Sequence, residues 1–441
     1  MLLRMHAHSP LPPDHPERLR LADEVHARPP EALETPSRAT HVAVLVAAEQ
    51  RAAEQAHLAA LCERFGVPAP APDATHYSAE LGPVRLKWER HGEFSGYTLF
   101  AAGRSPKPFS EPPLSMLPPE WLAGIPGSTV FAAHAKLIAF EGEAPDADFL
   151  AAHFGANVPV GAEIGGGAGL AFTDFKIRGD GCARFLVLDR GFSPRQAGRT
   201  LQRLFEIETY RVMALLALPV AREQSKRIVG IERSLATLTA GIAQGGGDDE
   251  SLLHDLTGLA AEVESGLAAS QFRFGACRAY HDLVTTRIGE LRERRLPGVQ
   301  TIEEFMARRF TPAVATCAST SQRLHDLSER VAQACGLLST RVDIAREKQN
   351  QMLLESMNRR AKLQLRLQQT VEGLSVAAIV YYVAGLIGYL AKGLKASGLH
   401  IDPDLVVGVA IPVVAALAVW VLRRAHRKNF RAEGASAAHE M

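Results

Sequence analysis

The chain has 441 residues, enough for two or three domains with substantial hydrophobic cores. Its 49 Lys and Arg residues nearly balance its 48 Asp and Glu residues, so bulk charge gives no reason to expect a nucleic-acid partner. The five cysteines are odd in number and form no CxxC pair, which favours reduced, mostly packed thiols over a disulfide framework: Cys62, Cys182, Cys277, Cys317 and Cys335.

The N-terminal residues 1–40 are rich in Pro and His and lack the apolar core of a secretory signal. Within them, EVHARP (24–29) places Glu24, His26 and Arg28 just before a double proline. These three residues are candidates for contacting an anion or a metal. The alternative is a helix end, where cationic groups interact favourably with the helix dipole.

Residues 1–192 carry the patterns of a mixed α/β domain, which we expect to be cytoplasmic. A helix is predicted over Glu49 to Phe65, and six strands are predicted over residues 41–48, 84–90, 96–102, 128–140, 170–179 and 182–191. In residues 84–90 apolar side chains alternate with Arg85, Lys87 and Glu89, the period of a half-buried strand. The glycine-rich residues 161–169 lack the Gly-Lys-Ser/Thr ending of a phosphate loop, which favours a flexible turn.

Long helices follow, in residues 193–300. Ser193-Pro194 is an N-cap followed by proline at the first helical position, and Pro219 is expected to kink the helix that it begins. A second helix is predicted over residues 250–295. In the first helix, Glu206 and Tyr210 lie four residues apart on one face; with Arg211 they are candidate binding residues, or else part of a salt-bridged face between helices.

Thr301 and Glu304 form a capping box that begins a third helix, residues 301–373. Apolar residues recur every seven positions along it, which favours a left-handed supercoil with neighbouring helices: Phe310, Cys317, Leu324, Val331, Leu338, Ala345 and Met352. Two interpretations stay open. The helix either packs on its own domain or forms a stalk against copies of the same chain, which would make the protein a homo-oligomer.

Two uncharged apolar segments of 18 residues, Leu374 to Ala391 and Leu405 to Leu422, each approach the length that crosses a bilayer. We expect residues 374–422 to form a transmembrane hairpin with the lipid bilayer as its partner. Four basic residues precede the first segment: Arg359, Arg360, Lys362 and Arg366. Four more follow the second segment, at the start of a basic tail of residues 423–441: Arg423, Arg424, Arg427 and Lys428. The positive-inside rule then places both termini in the cytoplasm and the loop between the two segments outside.

The first apolar segment has a side of small residues suited to close helix packing, and its only nearby carboxylate precedes it. Residues of interest for packing or for a pore are Glu372, Ala384, Gly385, Gly388 and Tyr389. No ionisable side chain lies inside either segment, which argues against a proton relay but leaves open a pore lined by hydroxyl or small groups.

The chain has no HExxH, no GxSxG and no cysteine–histidine cluster with zinc spacing. We therefore expect neither an enzymatic role nor a cofactor. The predicted architecture is α+β: an N-terminal mixed α/β cytoplasmic domain, long antiparallel helices forming a stalk, and a C-terminal two-helix transmembrane hairpin.

The EVHARP motif, residues 173–223 and the terminal hairpin resemble a bacterial family of membrane-anchored proteins of unknown function. This resemblance implies that the hairpin lies in the bacterial inner membrane. The order of the elements is also similar to that of the CorA-type magnesium transporter family. The second resemblance implies a homo-oligomeric channel or transporter, with a divalent cation as its candidate ligand. The family's Gly-Met-Asn signature is absent, and the corresponding place reads Ile387-Gly388-Tyr389-Leu390. The alternative function is a non-conducting membrane-anchored scaffold or sensor that binds a ligand or a protein.

Overall fold

The computed structural model describes residues 12, 14–19, 21–22, 29–244, 248–396 and 402–437, without the side chains of residues 422, 423 and 425–437. The chain divides into two compact units, Met1–Gly336 and Leu337–Met441, called here the first and the second unit. The first unit is a mixed α+β domain, and the second is helical.

The first unit is built on a sheet of eight strands: β1 Ser37–Leu45, β2 His76–Leu81, β3 Val84–Arg90, β4 Phe94–Ala102, β5 Ser128–Ala139, β6 Val160–Ile164, β7 Gly169–Thr173 and β8 Ala183–Asp189. Their order in the sheet is β2-β3-β4-β1-β5-β8-β7-β6. Among the pairings of these strands, only that of β5 with β8 is parallel. The six predicted strands are present, while β2 and β6 were not foreseen. β2 is an edge strand with few apolar residues, and β6 lies in the glycine-rich stretch expected to be only a turn.

One face of the sheet packs against α1 (Arg51–Arg64), α2 (Pro119–Ala123) and α3 (Ala147–Phe154). Leu58 and Leu61 of α1 contact a core that includes Trp88, which is 1% exposed. Phe154 of α3 belongs to a second cluster over β7 and β8. Each large apolar side chain buried in this way contributes about 1.5–3 kcal/mol to folding.

The other face is covered by α4 (Pro194–Leu215). Ser193 caps it as predicted, since its hydroxyl accepts from the Gln196 amide and the Gln196 side chain accepts from the Ser193 amide. The Phe205 ring of α4 meets the Phe185 ring of β8 edge-on, with centroids 5.9 Å apart. The predicted kink is a break, because α4 ends at Leu215 and α5 (Ala217–Gln244) begins two residues before Pro219.

Helix α6 (Asp249–Leu291) packs on α4 and α5 and ends where Arg292 adopts a left-handed conformation, with φ of 53°. The predicted Thr301–Glu304 capping box begins a short helix, α7 (Ile302–Arg309), and α8 (Thr311–Ala396) follows it. One helix was expected here, but the chain interrupts it at Phe310. Four cysteines are buried, Cys335 is half-buried, and all five are free thiols.

The seven-residue apolar row of α8 changes from buried to exposed between Leu338 and Ala345. Cys317, Leu324, Val331 and Leu338 are each no more than 3% exposed. Ala345 is exposed and Met352 is 56% exposed. The interpretation as a helix packed on its own domain therefore holds for the first part of the row, and the later part is free for another partner.

The second unit consists of the rest of α8 and of α9 (Pro403–Ala437). Both helices are long and apolar enough to cross a membrane. Most of the large apolar residues that the structure leaves exposed lie in this unit, such as Leu386, Leu390 and Leu417. A water-soluble surface rarely carries so continuous an apolar area.

Candidate functional site

A polar cavity lies between the sheet and α4 in the first unit. Glu206 and Tyr210, two of the predicted residues, line it together with residues that were not predicted as site residues: Glu31, His41, Lys87, Glu89, His91, Gln202 and Thr209. The centre of a water-sized sphere can move within about 30 Å³ of this cavity. The cavity therefore has room for one or two water molecules. The cavity is therefore a polar site beneath a helix, of a size suited to water or a very small ligand.

His41 forms one wall of this cavity and is held on three sides. Its Nδ1 lies 2.9 Å from the Thr98 hydroxyl and its Nε2 lies 3.2 Å from the Thr209 hydroxyl. The ring stacks on Phe205 with centroids 5.0 Å apart. Burial, together with the charges of His91 and Lys87, lowers the pKa of His41 to about 3. The imidazole is thus neutral at physiological pH and positions α4 on the sheet.

Lys87 and Glu89 form a buried ion pair of 2.9 Å beneath α4. Both residues project from β3 toward α4, and their side chains are only 6% and 11% exposed. The alternating pattern of this strand predicted one solvated face, but α4 covers that face. A charged residue is rarely buried without a partner, and here the two residues are partners of each other.

A chain of polar contacts continues from this ion pair to α6. The Gln202 carbonyl accepts from Lys87 at 3.3 Å, and the Gln202 amide donates to the Glu206 carboxylate at 2.7 Å. Arg287 of α6 donates to the other oxygen of Glu206, and also contacts Glu290 at 3.2 Å. Glu206 therefore joins the sheet to two helices. This confirms the geometric basis of the predicted interhelical network, whereas its use as a binding site stays a prediction.

Tyr210 stands at the end of the cavity that faces α6. Its ring stacks on Tyr280 with centroids 5.7 Å apart, and the Tyr280 hydroxyl donates to Glu93 at 3.1 Å. Burial and the neighbouring Glu206 carboxylate raise the pKa of Tyr210 well above its usual value, so the phenol keeps its proton. A protonated phenol beside a carboxylate can donate a hydrogen bond to a small polar ligand.

Arg211, the third predicted residue of this helix, lies away from the cavity. Its guanidinium makes a bidentate pair with the buried Glu208 carboxylate, with contacts of 2.5 and 2.9 Å. It also lies 5.9 Å from the centre of the Phe175 ring. Arg211 therefore ties α4 to the loop after β7 and is not part of the polar site. Glu24, His26 and Arg28 lie outside the described residues.

The sequence offered only a weak signal for the remaining cavity residues. Lys87 and Glu89 were identified as strand residues, and nothing in a single sequence tells that a helix more than a hundred residues later covers them. Arg287 lies on α6, and only tertiary packing determines which side of α6 contacts α4. Within the described ranges, no group of three or more His, Cys, Asp or Glu side chains could hold a metal ion.

In the second unit the predicted small residues do form a helix contact. Ala384 and Ala391 are 6% and 4% exposed, and a Cβ added to Gly388 would lie 3.1 Å from Val407 of α9. Gly385 has nothing within 4 Å of such a Cβ, and Tyr389 is 76% exposed. Ala384, Gly388 and Ala391 thus make one close-packed face, while Gly385 and Tyr389 lie outside it.

The predicted charged residues around the apolar segments are at the surface. Glu372 is half-buried and accepts from the Gln368 amide at 3.4 Å. Four basic residues of α8 are exposed: Arg359, Arg360, Lys362 and Arg366. In α9, Arg424 lies over the Trp420 ring at 5.0 Å, whereas the side chains of Arg423, Arg427 and Lys428 lie outside the description.

A family described as protein of unknown function (DUF3422) matches residues 13–429. The chain belongs to this family. The DUF3422 description names no activity, substrate or site, so it agrees with the first resemblance in the sequence and gives no support to the second. No curated protein matches the chain.

Among solved structures, the chain is similar to "structure of the full-length CmaX protein". The two are 14% identical, and the match covers 67% of this chain and 88% of the other, with a TM-score of 0.19. At these values the similarity supports no statement about fold or function.

Proposed function

We propose that this protein is a membrane-embedded homo-oligomer whose α8 helices line a hydrophilic path for ions. The observation that carries the proposal is a polar stripe that runs along α8 into its apolar segment. Gln368, Ser375, Tyr382 and Tyr389 recur every seven residues and are all exposed. Seven residues are close to two helical turns, so the four side chains lie along one side of the helix.

The stripe lies off the close contact of α8 with α9 and borders an open groove between the two helices, which Tyr382 and Tyr389 line. Tyr382 and Ala384 are two positions apart, which places them about 200° apart around the helix. The face of Ala384 is buried against α9, while Tyr382 is 71% exposed. The polar side of α8 therefore stays largely exposed within one chain.

Tyr382 is the decisive member of the stripe. It is eight residues from Leu374 and nine from Ala391, so in a spanning helix it would lie near the middle of the hydrocarbon. Transfer of a hydroxyl from water into hydrocarbon without a partner costs roughly 4–8 kcal/mol. Tyr389 could sit at an interface, where tyrosines are common, but Tyr382 requires either another chain or a water-filled path.

The residues of α8 that precede the membrane support self-association. Leu354 and Met357 are 62% and 59% exposed, and Ala361 lies seven residues before Gln368 on the same side of the helix. On this side of α8 the residues before the membrane are apolar, although water would surround them. The residues within the membrane are polar, although lipid would surround them. Such an inversion is expected of a face that meets copies of itself around a central axis.

Orientation follows from the basic residues, which in this proposal keep both termini in the cytoplasm. Arg359 and Arg366 lie on the other side of α8 from Met357, where they would meet the headgroups of the inner leaflet. Reporter fusions that are active on only one side of the inner membrane test this placement. A C-terminal fusion after residue 441 should report the cytoplasm.

Flux through proteoliposomes tests the path itself. The wild-type protein should admit an ion, with divalent cations among those tried, and Tyr382→Leu should change the rate at least several-fold. Tyr381→Leu is the matched control, because this adjacent tyrosine lies off the stripe toward the α9 side. Equal rates for both variants, no flux for any ion, or a strictly monomeric protein in detergent would each contradict the proposal.

The cavity of Glu206 and Tyr210 favours a second candidate, a non-conducting sensor or scaffold. Its buried charges and protonated phenol are suited to detecting a small polar ligand in the cytoplasm. In that case flux would be absent, and a small polar compound would raise the melting temperature of the wild type but not that of Tyr210→Phe. The first candidate thus predicts ion flux through the second unit, and the second candidate predicts ligand binding in the first unit.

A further inference from the structure

An open groove lies on the surface of the first unit, between the first turns of α4 and the end of α6. The residues that give it its chemistry are Phe192, Arg199, Thr200, Arg203, Glu290 and Arg292. The centre of a water-sized sphere can move within about 190 Å³ of the groove, against about 30 Å³ in the cavity beneath α4. The groove therefore has room for a small molecule that the cavity beneath α4 would exclude.

Arginine is the main charged residue of this groove. Arg199, Arg203 and Arg292 line it, and Glu290 is the one carboxylate among its lining residues. Glu290 is already paired with Arg203 at 2.8 Å and contacts Arg287 at 3.2 Å. Arg199 and Arg292 are exposed, and neither guanidinium group has a partner in the described part of the chain. The groove thus carries positive charge that its own carboxylate does not offset.

Thr200 adds an unpaired hydroxyl to the groove. The residue is only 7% exposed, yet its side chain has no hydrogen-bond partner within the described residues. Other helical threonines, such as Thr237, Thr239 and Thr257, donate to the carbonyl group four residues earlier. The hydroxyl of a nine-tenths buried residue is normally bonded, so a bound acceptor in the groove would complete the environment of Thr200.

The position of the groove along α4 favours an anion. Residues 190–205 include four arginines and no Asp or Glu, and the first turn of α4 has no acidic residue. Arg195 and Arg199 lie instead in the first two turns, where the positive end of the helix dipole disfavours cations and favours anions. A bound anion would offset the charge of these arginines and would interact favourably with the dipole.

The glycine-rich turn after β6 shapes the apolar wall of the groove. A Cβ added to Gly169 would lie 2.3 Å from the Phe192 ring, and one added to Gly165 would lie 3.0 Å from it. The two glycines therefore allow the ring to pack against the turn, where it stays half-exposed and lines the groove. An aromatic wall beside a positively charged one suits an organic anion better than a bare ion.

We propose that this groove binds the phosphate group of a small phosphorylated compound. Arg199 of α4 and Arg292 at the end of α6 would hold the phosphate oxygens, because planar guanidinium groups form paired N–H···O bonds with phosphate. The Thr200 hydroxyl would donate a further hydrogen bond, and Phe192 would contact the organic part. The site belongs to the first unit and is independent of whether the second unit conducts.

Isothermal titration calorimetry of the full-length protein in detergent tests the site, with glycerol 3-phosphate as the probe and chloride keeping the ionic strength constant. The wild type should bind the probe. Arg199→Gln and Arg292→Gln should each weaken binding about tenfold or more, because each removes hydrogen bonds to a charged group. Thr200→Val keeps the shape of the side chain and should weaken binding several-fold. Arg195→Gln is the matched control, since it removes an exposed arginine of the same helix that does not line the groove.

Short-chain phosphatidic acid in the same detergent distinguishes two sources of the phosphate group. If the ligand is a soluble compound, glycerol 3-phosphate should bind at least as tightly as the lipid. Tighter binding of the lipid, with the same dependence on Arg199, would assign the groove to a lipid headgroup that carries this phosphate. The proposal would fail if the wild type bound neither probe, or if Arg199→Gln and Arg292→Gln bound as tightly as the wild type. It would fail equally if Arg195→Gln weakened binding as much as Arg199→Gln.

Discussion

Lys87 and Glu89 form a 2.9 Å ion pair in the interior of the first unit, although they are alternate residues of one strand and project to the same side. The pair lies under α4, whose Gln202 carbonyl also accepts from Lys87. If one charge of a buried ion pair is removed, the other stays buried without compensation and destabilises the folded state. This dependence makes the pair a sensitive test of how α4 covers the sheet.

Glu89→Gln should destabilise the first unit by about 3–5 kcal/mol, because it leaves the Lys87 ammonium buried without a counter-charge. Urea unfolding monitored by tryptophan fluorescence measures the change. Glu80→Gln is the matched control, since Glu80 pairs with Arg85 at the surface and is 62% exposed; its effect should stay within about 1 kcal/mol.

The double variant Lys87→Met/Glu89→Leu separates loss of the pair from loss of packing. It removes both charges and keeps most of the volume, so it should recover most of the stability lost in Glu89→Gln. A double variant as unstable as Glu89→Gln would show that the cost is not electrostatic.

His41 should make the stability of the first unit depend on pH. Its pKa falls from 6.5 to about 3 on folding, so as the pH decreases the unfolded chain takes up a proton before the folded one does. The contribution of His41 is therefore complete above pH 6.5 and is lost as the pH falls from 6.5 toward 3. Its slope approaches about 1.4 kcal/mol per pH unit.

Free energies of unfolding at pH 5 and pH 8 measure this effect. Between the two, the wild type should lose about 2 kcal/mol more than His41→Gln, which cannot take up the proton. His76→Gln, at an exposed position of β2, should show the same pH dependence as the wild type. A wild-type curve parallel to that of His41→Gln would contradict the assignment.

Local patterns were enough to predict the strands around Trp88 and Leu137 and the helix caps at Ser193 and Thr301. Each of these depends on neighbours within a few residues: the period of two, a hydroxyl before a helix, a carboxylate or amide three positions later. The strand β6 was missed, because its five residues include a glycine and lie beside a run of glycines.

The features that were not predicted from the sequence depend on tertiary packing between distant segments. The alternation in β3 predicted a solvated face with Lys87 and Glu89, and it failed because a distant helix lies on that face. Glu206 and Tyr210 were found because their spacing is local, while Arg287 was missed because it belongs to another helix.

The close contact of α8 with α9 predicts opposite results for two glycines. A Cβ at Gly388 would approach Val407 to 3.1 Å, whereas at Gly385 it would meet nothing within 4 Å. Gly388→Leu should therefore destabilise the hairpin by about 1–3 kcal/mol through overpacking. Gly385→Leu should leave the α8–α9 contact intact.

Disulfide formation within the hairpin measures this contact. Cysteines introduced at Ala384 and Ile411, each one helical turn from the Gly388–Val407 contact, should cross-link in an otherwise wild-type chain without the native cysteines. Gly388→Leu should reduce the yield and Gly385→Leu should not. Equal yields would mean that the small-residue face does not set the helix spacing.

Gln224 of α5 offers a test of the helical part of the first unit. It is 4% exposed, and its Oε1 has no hydrogen-bond partner within the described residues; that oxygen would lie 3.0 Å from a Cβ added to Gly266 of α6. Leaving such an acceptor buried costs about 1–3 kcal/mol. Gln224→Leu should therefore be neutral or stabilise the protein by about 1 kcal/mol.

Gln202→Leu is the matched comparison, because the Gln202 side chain is bonded at both ends, to Lys87 and to Glu206. The same chemical change should there destabilise the protein by about 1–3 kcal/mol, since it removes partners from two buried charged groups. Urea unfolding of both variants measures the difference in sign. If Gln224→Leu is the more destabilising of the two, a bound water must satisfy the Gln224 carbonyl, and the helices α5 and α6 then pack around that water.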